Sequence, residues 1–380
     1  MSGGIDVLID VQAVGAASAG VPNVARNLVP ALINRPDGIA YYVAGREDTL
    51  PAVLAGSRPT ASFSWLGTSA HPAYRVLSQH FLDGMRVNRI RPKVYFGLAT
   101  LLPFGISRRT ATVALVYDLA PFRVPGIYTA SRQRYHRWLL RSVADRADHV
   151  VTISHATKND MVEIFGTDPG KITAIPIATD ARILHASADD LARHRRRLDL
   201  PGRYLLFVGK IQPRKNLGRL LQAFEALVGR TAYSDLHLVI VGQQGWLYGD
   251  VLARYSASPF KDRIRFTGEV PDGDLPWYYQ CAQVFCYPSL YEGFGLPILE
   301  AMANGVPVVT SDFGATAEVA GDAGVICDPH DPEAMAAALA GILDRPEARA
   351  GIAAKGYRRV ADYSWANCAA GYAELWKRFL

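Results

Sequence analysis

The feature that most constrains this chain is an alternation, run through twice, of short apolar segments with stretches of helical period. Ile5–Val11, Val113–Val116, His149–Ile153 and Ile172–Ile175 form a first series. A second begins at Tyr204–Gly209 and continues through Leu238–Gly242, Ile264–Thr267, Val284–Tyr287 and Val306–Thr310. Strands buried on both faces read as continuous apolar runs, so each series predicts a parallel sheet covered by helices. Two series predict two doubly wound α/β domains, and 380 residues is about twice what one hydrophobic core usually organises. The expected domains are 1–190 and 200–363. A hinge is expected in the polar, basic stretch Ala181–Arg203, where Arg193, Arg195, Arg196 and Arg197 read first as a solvated helix face.

Composition narrows the function. With 49% hydrophobic and 20% charged residues the chain can bury a core, which excludes wholesale disorder. The net charge is +6, and residues 1–190 carry 20 basic against 15 acidic side chains. That excess is too mild and dispersed for a dedicated nucleic-acid binder but suits an anionic substrate or lipid surface. Cys281, Cys286, Cys327 and Cys368 form no CxxC pair; they are expected to be buried small hydrophobes in a reducing compartment, with no metal bound. No apolar run approaches the roughly 18–20 residues that span a bilayer, and the N-terminus lacks a signal pattern, so the expected location is cytoplasmic. Neither half carries Gly-x-Gly-x-x-Gly followed by an acid, which removes the main support for a dehydrogenase.

The most informative stretch is Tyr287–Val309. Pro297 suits the first turn of a helix ending near Asn304, with Gly305 as its stop, so Gly293, Phe294, Gly295 and Leu296 are expected to offer amides at an exposed helix N-terminus, an anion site. Glu292 and Glu300 flank it, two carboxylates able to accept from hydroxyls. The second constellation is Val208–Leu217, at the turn from the first strand of the second domain into its first helix. Lys210 and Lys215 there are placed to neutralise a departing diphosphate, and no Asp-x-Asp pair suggests a metal.

With the loop Gly15–Leu28, these stretches resemble the large retaining glycosyltransferase family 4, across nearly the whole chain. Glu292 and Glu300 match its glutamates eight positions apart, Gly209–Asn216 its basic donor motif, and Tyr363-Ser364-Trp365 its ending before a last helix. The resemblance implies a GT-B fold, two Rossmann-like domains facing across a cleft, with the last helix, 364–380, packing back on the first domain. It further implies Glu292 on the donor sugar's hydroxyls, Glu300 on the nucleotide ribose, Lys210 and Lys215 on the diphosphate, and Gly209, Gly242, Gln243, Val270 and Gly20 around the donor. The family histidine is replaced by Tyr117, for which a hydrogen bond to the donor and simple packing both stay open. Asp118 is the acceptor-side candidate. Ile175–Asp180 lacks the usual Asn-Gly and is assigned no contact.

The expected activity is transfer of a hexose, with retention, from a nucleotide sugar to a hydroxyl of a saccharide or lipid-linked acceptor in polysaccharide assembly. GDP-mannose is the favoured donor, by resemblance to bacterial mannosyltransferases, with UDP-glucose and dTDP-rhamnose open and no cofactor. A nucleotide-sugar epimerase, a phosphorylase and a catalytically silent binding subunit are the alternatives. Glu292→Ala is expected to abolish transfer and leave the fold intact. The basic segment Arg132–Arg141, with Tyr135 and Trp138 on one face, reads either as a solvated core helix or as peripheral contact with an anionic membrane.

Overall fold

The computed structural model describes residues 5–15, 20–66, 71–179 and 186–380. The chain divides into two compact units: one comprises the chain up to Leu119, Ala130–Ala178 and Tyr363–Leu380, the other Ala120–Thr129 and Thr179–Asp362.

The first unit is built on seven strands, β1 (Val7–Asp10), β2 (Tyr41–Arg46), β3 (Ala61–Leu66), β4 (Val94–Gly97), β5 (Ala111–Val116), β6 (His149–Thr152) and β7 (Ile172–Ala174). Their order is β3-β2-β1-β4-β5-β6-β7, all parallel, so the direction of winding reverses between β1 and β4. Ser154 caps the helix His155–Phe165 by accepting from Thr157 N–H at 3.0 Å. The last helix, Trp365–Trp376, starts at Ser364, which accepts from Asn367 N–H at 3.1 Å. It lays Tyr372 and Trp376 against Phe96 of β4, with ring centroids 5.1 and 5.5 Å apart.

The second unit holds β8 (Arg203–Val208), β9 (Leu236–Val241), β10 (Ile264–Gly268), β11 (Val284–Tyr287), β12 (Val308–Ser311) and β13 (Gly324–Cys327) in the order β10-β9-β8-β11-β12-β13, again all parallel. Here the winding reverses between β8 and β11. The four cysteines are unpaired and buried.

Two boundary expectations are corrected. Residues 181–185 of the expected hinge, and Asp180 before them, lie outside the described residues, but the rest of that stretch is part of the second unit, which starts at Thr179 and not at 200. Its basic helix, Ala188–Arg197, is fastened there: Arg197 pairs with Asp274 at 2.5 Å, His194 stacks on Trp277 at 3.7 Å, and Arg195 donates to the Cys281 carbonyl at 3.1 Å. Arg193 and Arg196 face solvent. Likewise Ala120–Thr129, inside the span expected for the first domain, groups with the second unit. Ala120 and Ile127 pack with Tyr291, Tyr128 stacks on Trp246 at 5.6 Å, and the Trp246 indole N–H donates to the Ile127 carbonyl.

Candidate functional site

In an all-parallel sheet every strand delivers its carboxyl end to the same edge, and the crevice opens where the winding reverses. In the second unit that edge gathers most of the residues singled out by sequence. Gly209 ends β8 and donates to the Val241 carbonyl at 2.9 Å; Gly242 ends β9 and donates to the Gly268 carbonyl at 2.8 Å. The two backbones run so close that a Cβ on Gly242, whose φ is +140°, would lie 2.2 Å from the Gly209 oxygen. No other residue fits there. The turns continue side by side, Ile211 N–H donating to the Gln243 carbonyl at 2.9 Å. The Gln243 amide donates to the Glu269 carboxylate, and half-buried Val270 follows β10. Gly209, Gly242, Gln243 and Val270 therefore occupy three adjacent turns. Lys210 is exposed on the first of them, its ammonium 6.0 Å from the Trp246 ring centre.

At the reversal itself the turn after β8 meets the loop after β11. Pro213–Lys215 make one turn of 3₁₀ helix, and Asn216 follows in the left-handed region at φ +60°. The Asn216 amide fixes that turn by donating to the Pro288 carbonyl at 3.1 Å and the Pro329 carbonyl at 2.7 Å, and Leu290 N–H donates to the Arg214 carbonyl at 2.7 Å. The side chains then converge on one carboxylate. Lys215 Nζ lies 2.6 Å from Glu292 Oε1 and also bonds the Tyr287 hydroxyl; Arg214 lies 2.5 Å from Glu292 Oε2 and donates to the Tyr291 carbonyl at 3.0 Å. Glu292 is only 6% exposed. Burial opposes its charge, yet Arg214 and Lys215 overcome that and hold its carboxyl down at about 2. The same burial, with Glu292 alongside, pushes the Tyr287 phenol far up. The Glu292 backbone is gripped as well: Ala315 N–H donates to its carbonyl at 2.9 Å, and a Cβ on Gly314, at φ +66°, would lie 2.3 Å from that oxygen.

The helix after this loop spans Leu296–Ala303, with Gly295 (φ +107°) before it, Pro297 in its first turn, and Asn304 and Gly305 (φ +70°) closing it, as the sequence suggests. Its expected exposed N-terminus is a correction: Gly293, Phe294 and Gly295 are buried, because Phe294 turns inward and is 3% exposed. Glu300 is half-buried and accepts from the Tyr279 hydroxyl at 2.8 Å.

The remaining candidates belong to the first unit. Gly20, at φ +73°, begins the helix Val21–Ile33; residues 16–19 of the same loop lie outside the described residues. Tyr117 follows β5 and donates its hydroxyl to the Leu98 carbonyl at 3.0 Å, and burial raises its phenol. Asp118 is half-buried beside it, near enough to His136 to oppose the lowering of that imidazole by burial and Arg132. Three members of the Glu292 cluster escaped the sequence reading as site residues: Arg214, Tyr287 and Gly314. Arg214 had a signal, since it stands next to Lys215 in the basic turn after β8. Gly314 had none short of the backbone contact. Among the described residues no group of three or more His, Cys, Asp and Glu side chains is placed to hold a metal ion.

Residues 190–359 match the family model of glycosyl transferases group 1, and residues 18–182 that of Glycosyltransferase Family 4. The chain is 33% identical over 298 residues to O-antigen chain mannosyltransferase B of Escherichia coli, spanning 78% of this chain and 77% of that one. In fold it is similar to sucrose-phosphate synthase from Thermosynechococcus elongatus (TM-score 0.74, 20% identity, 98% of each chain) and to Anabaena HepE in complex with UDP-glucose (TM-score 0.76, 14% identity, 98% of this chain and 99% of that one). The two units thus have the GT-B fold.

Proposed function

Since the chain belongs to glycosyltransferase family 4, we propose that it moves mannose from GDP-mannose to a hydroxyl of a saccharide or lipid-linked acceptor in polysaccharide assembly, with retention of anomeric configuration. The observation that carries the reading is the convergence of the turn after β8 with the loop after β11 on one buried carboxylate, at the reversal of an all-parallel sheet. Arg214, Lys215 and Glu292 together leave one net positive charge, and Lys210 adds a second at the neighbouring strand end. That balance suits a leaving diphosphate, whose growing charge is stabilised by cations already in place. Glu292, ionised at every pH above about 2, accepts hydrogen bonds from the sugar hydroxyls while it keeps Arg214 and Lys215 oriented. The leaving diphosphate takes the proton of the attacking hydroxyl on the same face, so no separate strong base is required.

The mannosyl donor is suggested by similarity to the Escherichia coli relative, an O-antigen chain mannosyltransferase by name. A thermal-shift panel of GDP-mannose, UDP-glucose and dTDP-rhamnose tests it, because a ligand bound only by the folded state stabilises that state by about 2.7 kcal/mol at 100 times its dissociation constant. GDP-mannose should give the largest shift, and NMR of the product should show the donor's anomeric configuration. A larger shift with UDP-glucose replaces the donor; an inverted product removes retention.

Peripheral attachment to an anionic membrane is part of the proposal. No described helix is long and apolar enough to cross a membrane. On the helix Ala130–Arg146, Tyr135 and Trp138 are exposed and continue into Phe81, 55% exposed, through His80 and Phe104. Arg132, Arg134, Arg137 and Arg141 on the same helix face solvent. Aromatic rings edged by arginines suit a headgroup layer. The protein should float with vesicles containing phosphatidylglycerol and not with phosphatidylcholine alone; equal flotation would remove the charge argument.

A further inference from the structure

Tyr279 belongs to a short helix, Leu275–Gln280, that precedes β11, and its hydroxyl reaches Glu300 on the helix Leu296–Ala303. The ring is 1% exposed and packs edge-on against Phe285 of β11, with 5.4 Å between centroids. A carboxylate has no proton to give, so the hydroxyl donates, to Glu300 Oε2 at 2.8 Å. Burial first, then the Glu300 charge, pushes the Tyr279 phenol far above its ordinary value, so it keeps that proton.

A second link joins the same two segments. The Gln280 amide donates to Asn304 Oδ1 at 3.0 Å, and the Asn304 amide donates to the Glu300 carbonyl at 2.9 Å. The backbone at Glu300 is therefore fastened without Tyr279. What the Tyr279 hydroxyl fixes is the Glu300 side chain, which is half-buried and so open to a ligand. Freezing the rotamers of a glutamate on binding weakens the ligand, and a buried partner that has already fixed them removes that cost. Each carboxylate oxygen has two lone pairs, so Oε2 can hold Tyr279 and still accept from a ligand O–H.

We propose that Tyr279 is a positioning residue for recognition of the donor's ribose: its hydroxyl holds the Glu300 carboxylate in the orientation that accepts from the ribose hydroxyls, and so sets how strongly a ribonucleotide is preferred over a deoxyribonucleotide. The inference rests on the transferase reading, with Glu300 at the ribose. It adds the residue that holds Glu300 and a selectivity for the sugar of the nucleotide, one that disfavours thymidine donors because they lack the 2′-hydroxyl.

The test uses the full chain and titration calorimetry with GDP and 2′,3′-dideoxy-GDP, and with the matching uridine pair if the thermal-shift panel favours UDP. The parent should bind the ribonucleotide at least tenfold more tightly than its dideoxy analogue. Tyr279→Phe keeps the ring and its contact with Phe285; it should weaken the ribonucleotide about fivefold and leave the analogue unchanged. A merely structural role would weaken both alike, and either that result or an unchanged ratio overturns the proposal. Gln280→Ala, which breaks the other link between the two segments, should keep the parent's ratio; an equal narrowing would make packing, not the hydroxyl, the cause. Should Tyr279→Phe fail to fold, Glu300→Asp, which withdraws the carboxylate from the hydroxyl, decides: a narrowed ratio supports the proposal and a full one overturns it. A parent that binds both nucleotides equally overturns the inference and leaves the transferase reading standing. Binding of neither GDP nor UDP removes the transferase reading, and this inference with it.

Discussion

The two reversals in this chain are the same structural solution filled with opposite chemistry. Between β8 and β11 lies a fully paired cluster, one glutamate between a lysine and an arginine, with net positive charge. Between β1 and β4 lie two aspartates bridged by a glutamine, with an amide oxygen to spare. The backbone cannot cause the difference, since both sheets are parallel and both crevices sit at strand carboxyl ends. What differs is the charge each crevice presents: a net positive cluster in one, two carboxylates around an amide in the other. The comparison teaches that within this fold the residues just past the strand ends, not the sheet, carry the specification.

The largest effect expected is at Glu292, and it breaks the comparison most directly. Removing one member of a buried charge cluster typically costs about 3–5 kcal/mol because the others are left unpaired. Lys215 is 6% exposed, so Glu292→Ala should lose stability of that order in urea unfolding, which revises the expectation that the fold survives untouched. Glu292→Gln keeps the shape and should unfold closer to the parent while transfer falls by about two orders of magnitude, the size found when one charge-stabilising group is lost. The folded carboxyl titrates near 2 and the unfolded one near 4.5, so the stability it supplies is present above pH 4.5 and disappears as pH falls toward 2. Glu292→Gln should remove that acid-sensitive part of the unfolding curve. A parent and variant with parallel acid profiles would mean the cluster is not paired in solution.

How much of this was legible depends on how far the information travels along the chain. The strands whose both faces are buried announced themselves, as at Tyr204–Val208 and Leu238–Val241, where residue after residue is apolar. β3 did not, because Ala61–Leu66 is an edge strand whose serines face solvent, and β4, Val94–Gly97, went unread although it is as buried as β1. Glu292, Lys210 and Lys215 were found through motifs, and their two stretches were expected around one diphosphate, but the direct pairing of Lys215 with Glu292 was not. That Lys215 and Glu292 share a hydrogen bond depends on β8 and β11 being neighbours although β9 and β10 intervene in sequence. The cluster around Gln12 was invisible for the same reason: Asp83 comes 71 residues after Gln12 and Tyr95 lies 85 from Asp10.

The next effect sharpens the other half of the comparison. Asp10 is buried beside Asp83, and burial first, then that second charge, raises its carboxyl from 3.8 to about 6 despite the Tyr95 and Gln12 hydrogen bonds. A carboxyl that titrates higher in the folded state stabilises the fold while protonated, and that contribution is lost as pH rises from about 4 to about 6. About two pKa units correspond to roughly 3 kcal/mol. Asp10→Asn cannot ionise, so its melting temperature relative to the parent should climb across that window and level off above pH 7. A difference independent of pH would show that Asp10 is not strained by its neighbour.

Lys210 separates charge from structure in the second unit. It is exposed, and its ammonium lies 6.0 Å from the Trp246 ring centre. Lys210→Ala should therefore leave urea stability within about 0.5 kcal/mol, while nucleotide-sugar affinity, read by thermal shift, should fall about tenfold, or about 1.4 kcal/mol. Unchanged affinity would confine the diphosphate to the Arg214–Lys215 side of the crevice.

The smallest effect concerns the residue on which the family pattern departs most. Tyr117 spends its hydroxyl proton on the Leu98 carbonyl, so its ordinary duty is to join the end of β5 to the segment after β4. A neutral hydrogen bond of this kind contributes about 1 kcal/mol, and Tyr117→Phe should lose that much in urea unfolding with no change in turnover. The same oxygen retains lone pairs, however, and an acceptor can still receive a hydroxyl proton from a bound sugar. If Tyr117→Phe raises the KM for the acceptor at constant kcat, Tyr117 binds an acceptor hydroxyl. If it lowers kcat at constant KM, Tyr117 acts on the reacting centre in the histidine's place.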